Sequence, residues 1–413
     1  MVALSPRLLQ ATPVIVDHGR GSRLFDADGR SYLDFTAGIG VTSTGHCHPR
    51  VVAAAQEQVA SLIHGQYTTV MHRPLLELVE RLGTVLPPGL DSLFFANSGS
   101  EAVEAALRLT RQATGRPNVV VFHGGFHGRT VAAASMTTSG TRFSAGFSPL
   151  MGGVHIAPFP TAYRYGWSEE EATTFALREL DYLFATVTSP QETAAFIVEP
   201  VLGEGGYIPG NTEFFRGLRE RADAHGILLV MDEIQTGFGR TGRWFGHEHF
   251  DVRPDVITFA KGIASGFPIS GLAASAELMG RAWPGSQGGT YGANAVACAA
   301  AVATLDVIAE EGLVDNAADR GAQLLAGARE LATDAVGDVR GLGLMVGSEF
   351  VTADGAPDTA RAQAAQQAAA RRGMLMLTCG AYMNVVRMIP PLVITAEEID
   401  EGLAIWADVL AEV

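Results

Sequence analysis

Between about residues 92 and 261 the sequence keeps returning to one pattern. A short apolar run is closed by Gly, Pro, Asn or Asp, and a helical stretch separates many of the runs. The runs are Ser92–Ala96, Asn118–Phe122, Ala194–Val198, Ile227–Met231 and Val256–Ala260. Continuous apolar runs, without polar alternation, suit strands buried on both faces, the situation of a parallel sheet covered by helices. Glu101–Ala113, Glu169–Ala185 and Glu213–Ala224 have helical spacing. The pattern predicts a large α/β domain with a mostly parallel central sheet.

The two ends read differently. Residues 20–35 carry an Asp28-Gly29 turn between two strand-like runs, a hairpin signal. Ala293–Glu311 is a long alanine-rich helix. Beyond Gly312, Val339–Phe350 and Met374–Ile389 read as strands on either side of an alanine-rich helix near Ala360–Arg371, and a last helix starts near Ala396. The expected division is 1–45 as an N-terminal segment joining a small domain, 46–311 as the large domain, and 312–413 as the small α+β domain. There is no internal repeat.

Composition narrows the function classes. With 47% hydrophobic and 18% charged residues, the chain is a compact folded protein, not a disordered one. A formal charge of −15 argues against nucleic acid or an anionic membrane as the main partner. No run is long and apolar enough to span a bilayer, and no secretory leader is visible. Cys47, Cys298 and Cys379 have neither metal-ligand spacing nor a disulfide framework, so a cytoplasmic setting is expected.

Of 29 basic residues, 28 are arginine and one is lysine, Lys261. The arginine bias reads as genome composition. A lysine kept against it suggests chemistry closed to arginine, namely losing a proton and forming a Schiff base with a carbonyl. Its place strengthens the point. Lys261 follows Val256–Ala260 directly, at the carboxyl end of a strand, where open α/β sheets collect ligands.

The same rule applies to the other strand ends. Ser92–Ala96 is followed by Asn97-Ser98-Gly99-Ser100-Glu101 and a helix. Such a start offers free N–H groups to a phosphate, although a serine-capped helix reads the same way. Asn118–Phe122 leads into His123-Gly124-Gly125-Phe126-His127-Gly128-Arg129. Phe126 suits the face of a flat ring, or a core position. Arg129 suits a substrate carboxylate, or a structural acid. Glu199 lies directly behind a buried run and needs a partner. Glu204 stands among Gly203, Gly205 and Gly206. Asp232 ends the next run and can hold a protonated ring nitrogen, or cap a turn. A phosphate cradle, a ring cover, a carboxylate and a Schiff-base lysine are the parts a pyridoxal phosphate (PLP) enzyme needs. Asp232 would keep the ring nitrogen protonated, and Lys261 would hold the cofactor and then move the substrate proton.

Seven stretches, in order, carry a family resemblance. They are Thr44-Gly45-His46-Cys47-His48-Pro49, Ser98-Gly99-Ser100-Glu101-Ala102, Phe126-His127-Gly128-Arg129-Thr130, Glu199-Pro200 with Gly203-Glu204-Gly205-Gly206, Asp232 to Arg240, Phe259-Ala260-Lys261-Gly262, and Gly289-Thr290-Tyr291. Together they resemble the class III (omega-type) PLP-dependent aminotransferases, and among these the 4-aminobutyrate aminotransferases.

The resemblance implies a PLP-dependent transferase of fold type I, working as a homodimer with the active site at the subunit interface. It implies that Gly99 and Ser100 bind the phosphate, with Thr290 reaching it from the neighbouring subunit. Phe126 would stack on the ring, where the family often has tyrosine. Ile234 would touch the other ring face, Gln235 the ring hydroxyl, and Asp232 the ring nitrogen. His127 and Glu199 complete the cofactor-binding set, and Lys261 is the Schiff-base lysine.

For substrates, the resemblance implies a small-molecule amino donor and 2-oxoglutarate, used in two successive half-reactions. Arg129 would bind the distal carboxylate of both. Arg387, a charge inside the apolar strand Asn384–Ile389, would bind the α-carboxylate of the acceptor. Glu204 would neutralise Arg387 when the donor has no such group. Ile39 falls where 4-aminobutyrate enzymes carry an apolar residue and ornithine-type relatives a nearby tyrosine. One side chain discriminates by only about 1–3 kcal/mol. N-acetylornithine, ornithine, another diamine or a β-amino acid therefore stay open as donors. A racemase or epimerase is a further alternative, with less need of the Glu204/Arg387 pair. A binding protein without activity is disfavoured by the presence of both Lys261 and Asp232.

Overall fold

The computed structural model describes residues 4–413. At the N-terminus, β1 (Val16–Arg20), β2 (Arg23–Asp26) and β3 (Ser31–Asp34) form an antiparallel meander. The expected Asp28-Gly29 turn joins β2 to β3, with Gly29 at φ +78°.

The central sheet has seven strands: β4 (Ser92–Ala96), β5 (Asn118–Phe122), β6 (Val154–Ala157), β7 (Thr193–Val198), β10 (Leu228–Asp232), β11 (Val256–Phe259) and β12 (Ser270–Ala274). A small hairpin of β8 (Val201–Leu202) and β9 (Ile208–Pro209) lies between β7 and β10 in sequence. The sheet order is β4-β12-β11-β10-β7-β5-β6. The five strands from β11 to β6 run parallel, and β12 alone is reversed against both of its neighbours.

Burial on both faces explains the apolar runs. Val119, Val120, Val121, Phe196, Val230, Met231 and Ile257 are all fully enclosed. The helices Gly99–Thr114, Glu169–Thr186 and Thr212–His225 run between these strands in sequence, and the first two open with capping boxes, Ser98 with Glu101 and Ser168 with Glu171. Such a box bonds the cap residue and the third helical residue to each other. It leaves the N–H groups of the first two helical residues without intrahelical partners.

Two strands of the central sheet, β12 and β6, do not stand out in the sequence, for physical reasons. β12 reads Ser-Gly-Leu-Ala-Ala and has one large apolar residue, because it is squeezed between neighbours. A Cβ on Gly271 would collide with the carbonyl oxygen of Phe94. β6 is an edge strand interrupted by His155 and only partly buried. The run expected at Ile227–Met231 is shifted by one residue, so Asp232 is the last strand residue of β10 and not the first loop residue.

In the C-terminal region the single strand expected at Val339–Phe350 is a hairpin, β13 (Val336–Leu342) and β14 (Met345–Phe350), reversed at Gly343 with φ +52°. The stretch Met374–Ile389 divides into β15 (Met374–Leu375), β16 (Leu377–Cys379) and β17 (Val385–Met388). The second sheet has the order β13-β14-β17-β16. Helices Leu313–Glu330, Thr359–Arg371 and Ala396–Glu412 pack around it. β15 leaves that sheet and pairs in parallel with β3, tying the N-terminal meander to the C-terminal region. Among the described residues no helix is long and apolar enough to cross a membrane.

Candidate active site

The carboxyl ends of β4, β5, β7, β10 and β11 open on one cavity of about 380 Å³. Gly99, Ser100, Phe126, His127, Arg129, Glu199, Glu204, Asp232, Ile234, Gln235 and Lys261 all line it. Residues spread over more than 160 positions meet because most of them end or follow strands whose carboxyl ends share one edge of the central sheet, with Glu204 added from the β8–β9 turn.

At the end of β4, the helix Gly99–Thr114 begins at the cavity wall. The Ser98–Glu101 box engages the N–H groups of Ser98 and Glu101. The Gly99 and Ser100 N–H groups have no intrahelical acceptor and suit an anion. The loop after β5 folds onto this start. The Arg129 N–H donates to Ser100 Oγ at 3.2 Å. Gly128 permits this approach: its φ is +129°, and a Cβ there would collide with Ser100 Oγ and stand 2.9 Å from Ala133 Cβ. Phe126 lines the same wall and meets Phe143 edge-on, with ring centroids 5.0 Å apart.

Behind the loop, Glu199 holds two turns together. Its Oε1 accepts from the Phe126 N–H at 2.7 Å and its Oε2 from the Gly203 N–H at 2.9 Å. Burial raises its carboxyl to about 7. Asp232 adds to the rise, and His127 and the two N–H groups oppose it.

Asp232 is buried at the end of β10. Its Oδ2 accepts from His127 Nδ1 at 2.7 Å, and its Oδ1 from the Ile234 N–H at 3.2 Å and Thr258 Oγ1 at 3.3 Å. Burial works against a charged His127. The hydrogen bond and charge of Asp232, with Glu199 nearby, outweigh it and hold the ring above its usual range. His127 therefore fixes the orientation of Asp232. Thr258, enclosed among the apolar residues of β11, was not legible as part of this group.

Lys261 starts a short turn at the end of β11, in the left-handed region at φ +46°. Burial lowers its ammonium to about 8. Arg387 pushes the same way, and Glu199, Asp232 and Glu204 oppose. Near neutrality a useful fraction of this amine is free to act as a nucleophile or base.

Glu204 lies in the turn between β8 and β9. Its Oε2 accepts from Arg387 at 2.8 Å and its Oε1 from Arg142 at 2.9 Å. Arg387, on β17, is only 4% exposed and reaches the cavity through this bridge. Arg142 and Phe143 were missed in the sequence. They lie on a short turn, Thr141–Phe143, in a stretch with neither helical nor strand periodicity. Three expected residues do not themselves line the cavity: Arg387, which meets it only through Glu204, Ile39 and Thr290. Ile39 is 43% exposed and Thr290 is exposed on a loop.

The family profile "Aminotransferase class-III" matches residues 5–410. The chain is a class III aminotransferase. It is 41% identical to the 5-aminovalerate aminotransferase DavT of Pseudomonas putida, over 100% of this chain and 97% of that one. It is 39% identical to the 4-aminobutyrate aminotransferase GabT of Escherichia coli, over 96% and 93%. At 38% identity, over 95% and 85%, it is also similar to an alanine/serine racemase of Pyrococcus horikoshii. A PLP-bound amine transaminase from an uncultivated Pseudomonas species superposes with a TM-score of 0.92 at 30% identity, covering 99% and 98%.

This aminotransferase is PLP-dependent, as its family is. The cavity fits the cofactor on its own evidence. It offers an anion cradle at Gly99 and Ser100, a buried carboxylate at Asp232 and an amine at Lys261. Gln235 adds a buried Oε1 that has no hydrogen-bond partner among the described residues and suits a ring hydroxyl.

Proposed function

We propose that the enzyme transfers the amino group of an ω-amino acid of the 4-aminobutyrate or 5-aminovalerate class to 2-oxoglutarate, in two half-reactions at one site. The observation that carries this reading is the ion pair between Arg387 and Glu204. A buried arginine is costly without a partner. A site that takes a donor lacking an α-carboxylate, and then an acceptor bearing one, needs a partner that can be displaced. The names of the relatives support the donor class.

When bound, PLP supplies an electron sink for the charge left on the amine-bearing carbon as its proton departs. Lys261 provides the amine that holds the cofactor and the base that carries this proton. Asp232, steadied by His127, keeps the ring nitrogen protonated. Gly99 and Ser100 would hold the phosphate, and Phe126 and Ile234 would supply the apolar contacts to the ring. Arg129 binds the distal carboxylate of donor and acceptor in turn. Glu204 neutralises Arg387 in the donor half-reaction and yields it to the α-carboxylate in the other.

The reading includes a homodimer. Thr290, exposed and outside this chain's own cavity, is assigned to the phosphate of the neighbouring subunit. The small domain, 312–413 with 1–45, supplies Arg387 to the large one, 46–311.

The test is a single turnover of the PLP form with each donor and no acceptor, followed by visible absorbance. Loss of the cofactor band with 4-aminobutyrate or 5-aminovalerate, restored by 2-oxoglutarate, supports the reading. Loss only with N-acetylornithine or ornithine replaces the donor. Proton exchange on alanine without amino transfer would move the enzyme to the racemases.

A further inference from the structure

We propose that Arg142 is the counter-charge that receives Glu204 whenever Arg387 is taken by a substrate α-carboxylate. It would thereby set how readily the site passes from ω-amino donor to keto-acid acceptor. The inference rests on the reading given under Proposed function.

Glu204 divides its two oxygens between two arginines of unlike surroundings. Oε2 goes to Arg387 at 2.8 Å, whose side chain is 5% exposed. Oε1 goes to Arg142 at 2.9 Å, whose side chain is 34% exposed. An incoming carboxylate that claims Arg387 breaks the first bond and leaves the second. Glu204 itself is largely enclosed, so a displaced carboxylate without Arg142 would be a half-buried charge lacking a partner.

The backbone around Glu204 is anchored. Its carbonyl accepts from the Gly380 N–H at 2.9 Å, and the preceding Gly203 N–H is held by Glu199. The motion is then a rotation of the side chain, not an opening of the loop.

Arg142 is held ready by Phe143. The Arg142 guanidinium lies 4.5 Å from the centroid of that ring, and the Arg129 guanidinium lies 5.0 Å from it. The same ring packs edge-on against Phe126. One aromatic side chain thus positions the arginine assigned to the distal carboxylate and the arginine that takes the gate. Arg142 is a positioning residue and touches no reacting atom.

The experiment measures both half-reactions by single turnover in wild type, Arg142→Ala and Arg142→Lys. Arg142→Ala is expected to raise the 2-oxoglutarate concentration for half-maximal rate by roughly 3- to 10-fold, with a clearly smaller change for 4-aminobutyrate or 5-aminovalerate. Arg142→Lys should restore most of the difference, since it keeps the charge. Equal losses in both halves, or a 2-oxoglutarate half-reaction that improves without Arg142, would overturn the inference and leave the reading intact. A wild-type enzyme that never consumes 2-oxoglutarate would overturn the reading, and the inference with it.

Discussion

Arg387 and Glu204 meet at 2.8 Å, the arginine on β17 and the carboxylate in the β8–β9 turn. The second oxygen of Glu204 is held by Arg142. A charge pair so enclosed gains little stability over an apolar substitute. On the proposed function its place beside the cavity gives it a use: one partner would be exchanged for a substrate.

Glu204→Gln tests that exchange from the carboxylate side. The amide keeps the shape and removes the charge, so Arg387 faces an ω-amino donor uncompensated. Half-reactions with 4-aminobutyrate are expected to slow about 10-fold or more, consistent with roughly 1.5–3 kcal/mol for a charged hydrogen bond. Those with glutamate, which brings its own carboxylate, should change less. Single-turnover rates with the two donors check this.

The His127–Asp232 bond makes a prediction about pH. His127 is held above its usual range in the fold. Its bond therefore contributes fully below the ordinary histidine range, and the contribution fades as pH rises through the higher folded-state value. His127→Ala is expected to lose about 1.5–3 kcal/mol at low pH, with a smaller gap to wild type at alkaline pH. Denaturant titrations at several pH values measure it.

Lys261 gives the opposite trend. Its pKa of about 8 lies below the ordinary lysine value, so the charged form destabilises the cofactor-free fold. Apo Lys261→Met should melt higher than apo wild type below pH 8. The advantage should shrink as pH climbs from about 8 toward the usual lysine range, where the amine is neutral in folded and unfolded chains alike. Thermal melts of the two apoproteins from pH 7 to 10 follow the difference.

Gly128 is constrained by its backbone and by its neighbour. At φ +129°, with Ser100 Oγ where a Cβ would sit, Gly128→Ala is expected to cost about 1–3 kcal/mol. The strain falls on the Arg129–Ser100 contact, so cofactor affinity should drop along with stability. PLP titration of the apoprotein separates the two losses.

Much of the site was legible because parallel strands deliver their carboxyl ends to one place. Asp232 and Lys261 stand out against the apolar runs before them, and Arg387 is visible as a charge inside a strand. The rest was hidden for definite reasons. Arg142 and Phe143 sit in a segment with no periodicity to point inward. Thr258 belongs to a buried strand and looks like filler. β12 lacks the bulk that marks a strand, since its neighbours leave no room for a side chain at Gly271. The Gly343-Leu344 reversal divides the single strand expected at Val339–Phe350 into β13 and β14. The orientation of Asp232 by His127 depends on two residues 105 positions apart, a pairing set by the contact between the β5 loop and the end of β10.

The most direct test of the account is the ratio of the two half-reactions in Arg387→Ala. Single turnovers with 4-aminobutyrate and with 2-oxoglutarate, each followed by the cofactor's visible absorbance, give that ratio without steady-state ambiguity. If Arg387 binds the α-carboxylate, its loss costs about 100-fold or more with 2-oxoglutarate, on the order of 3 kcal/mol for a buried charge pair, and far less with 4-aminobutyrate. Equal losses in both directions would contradict it.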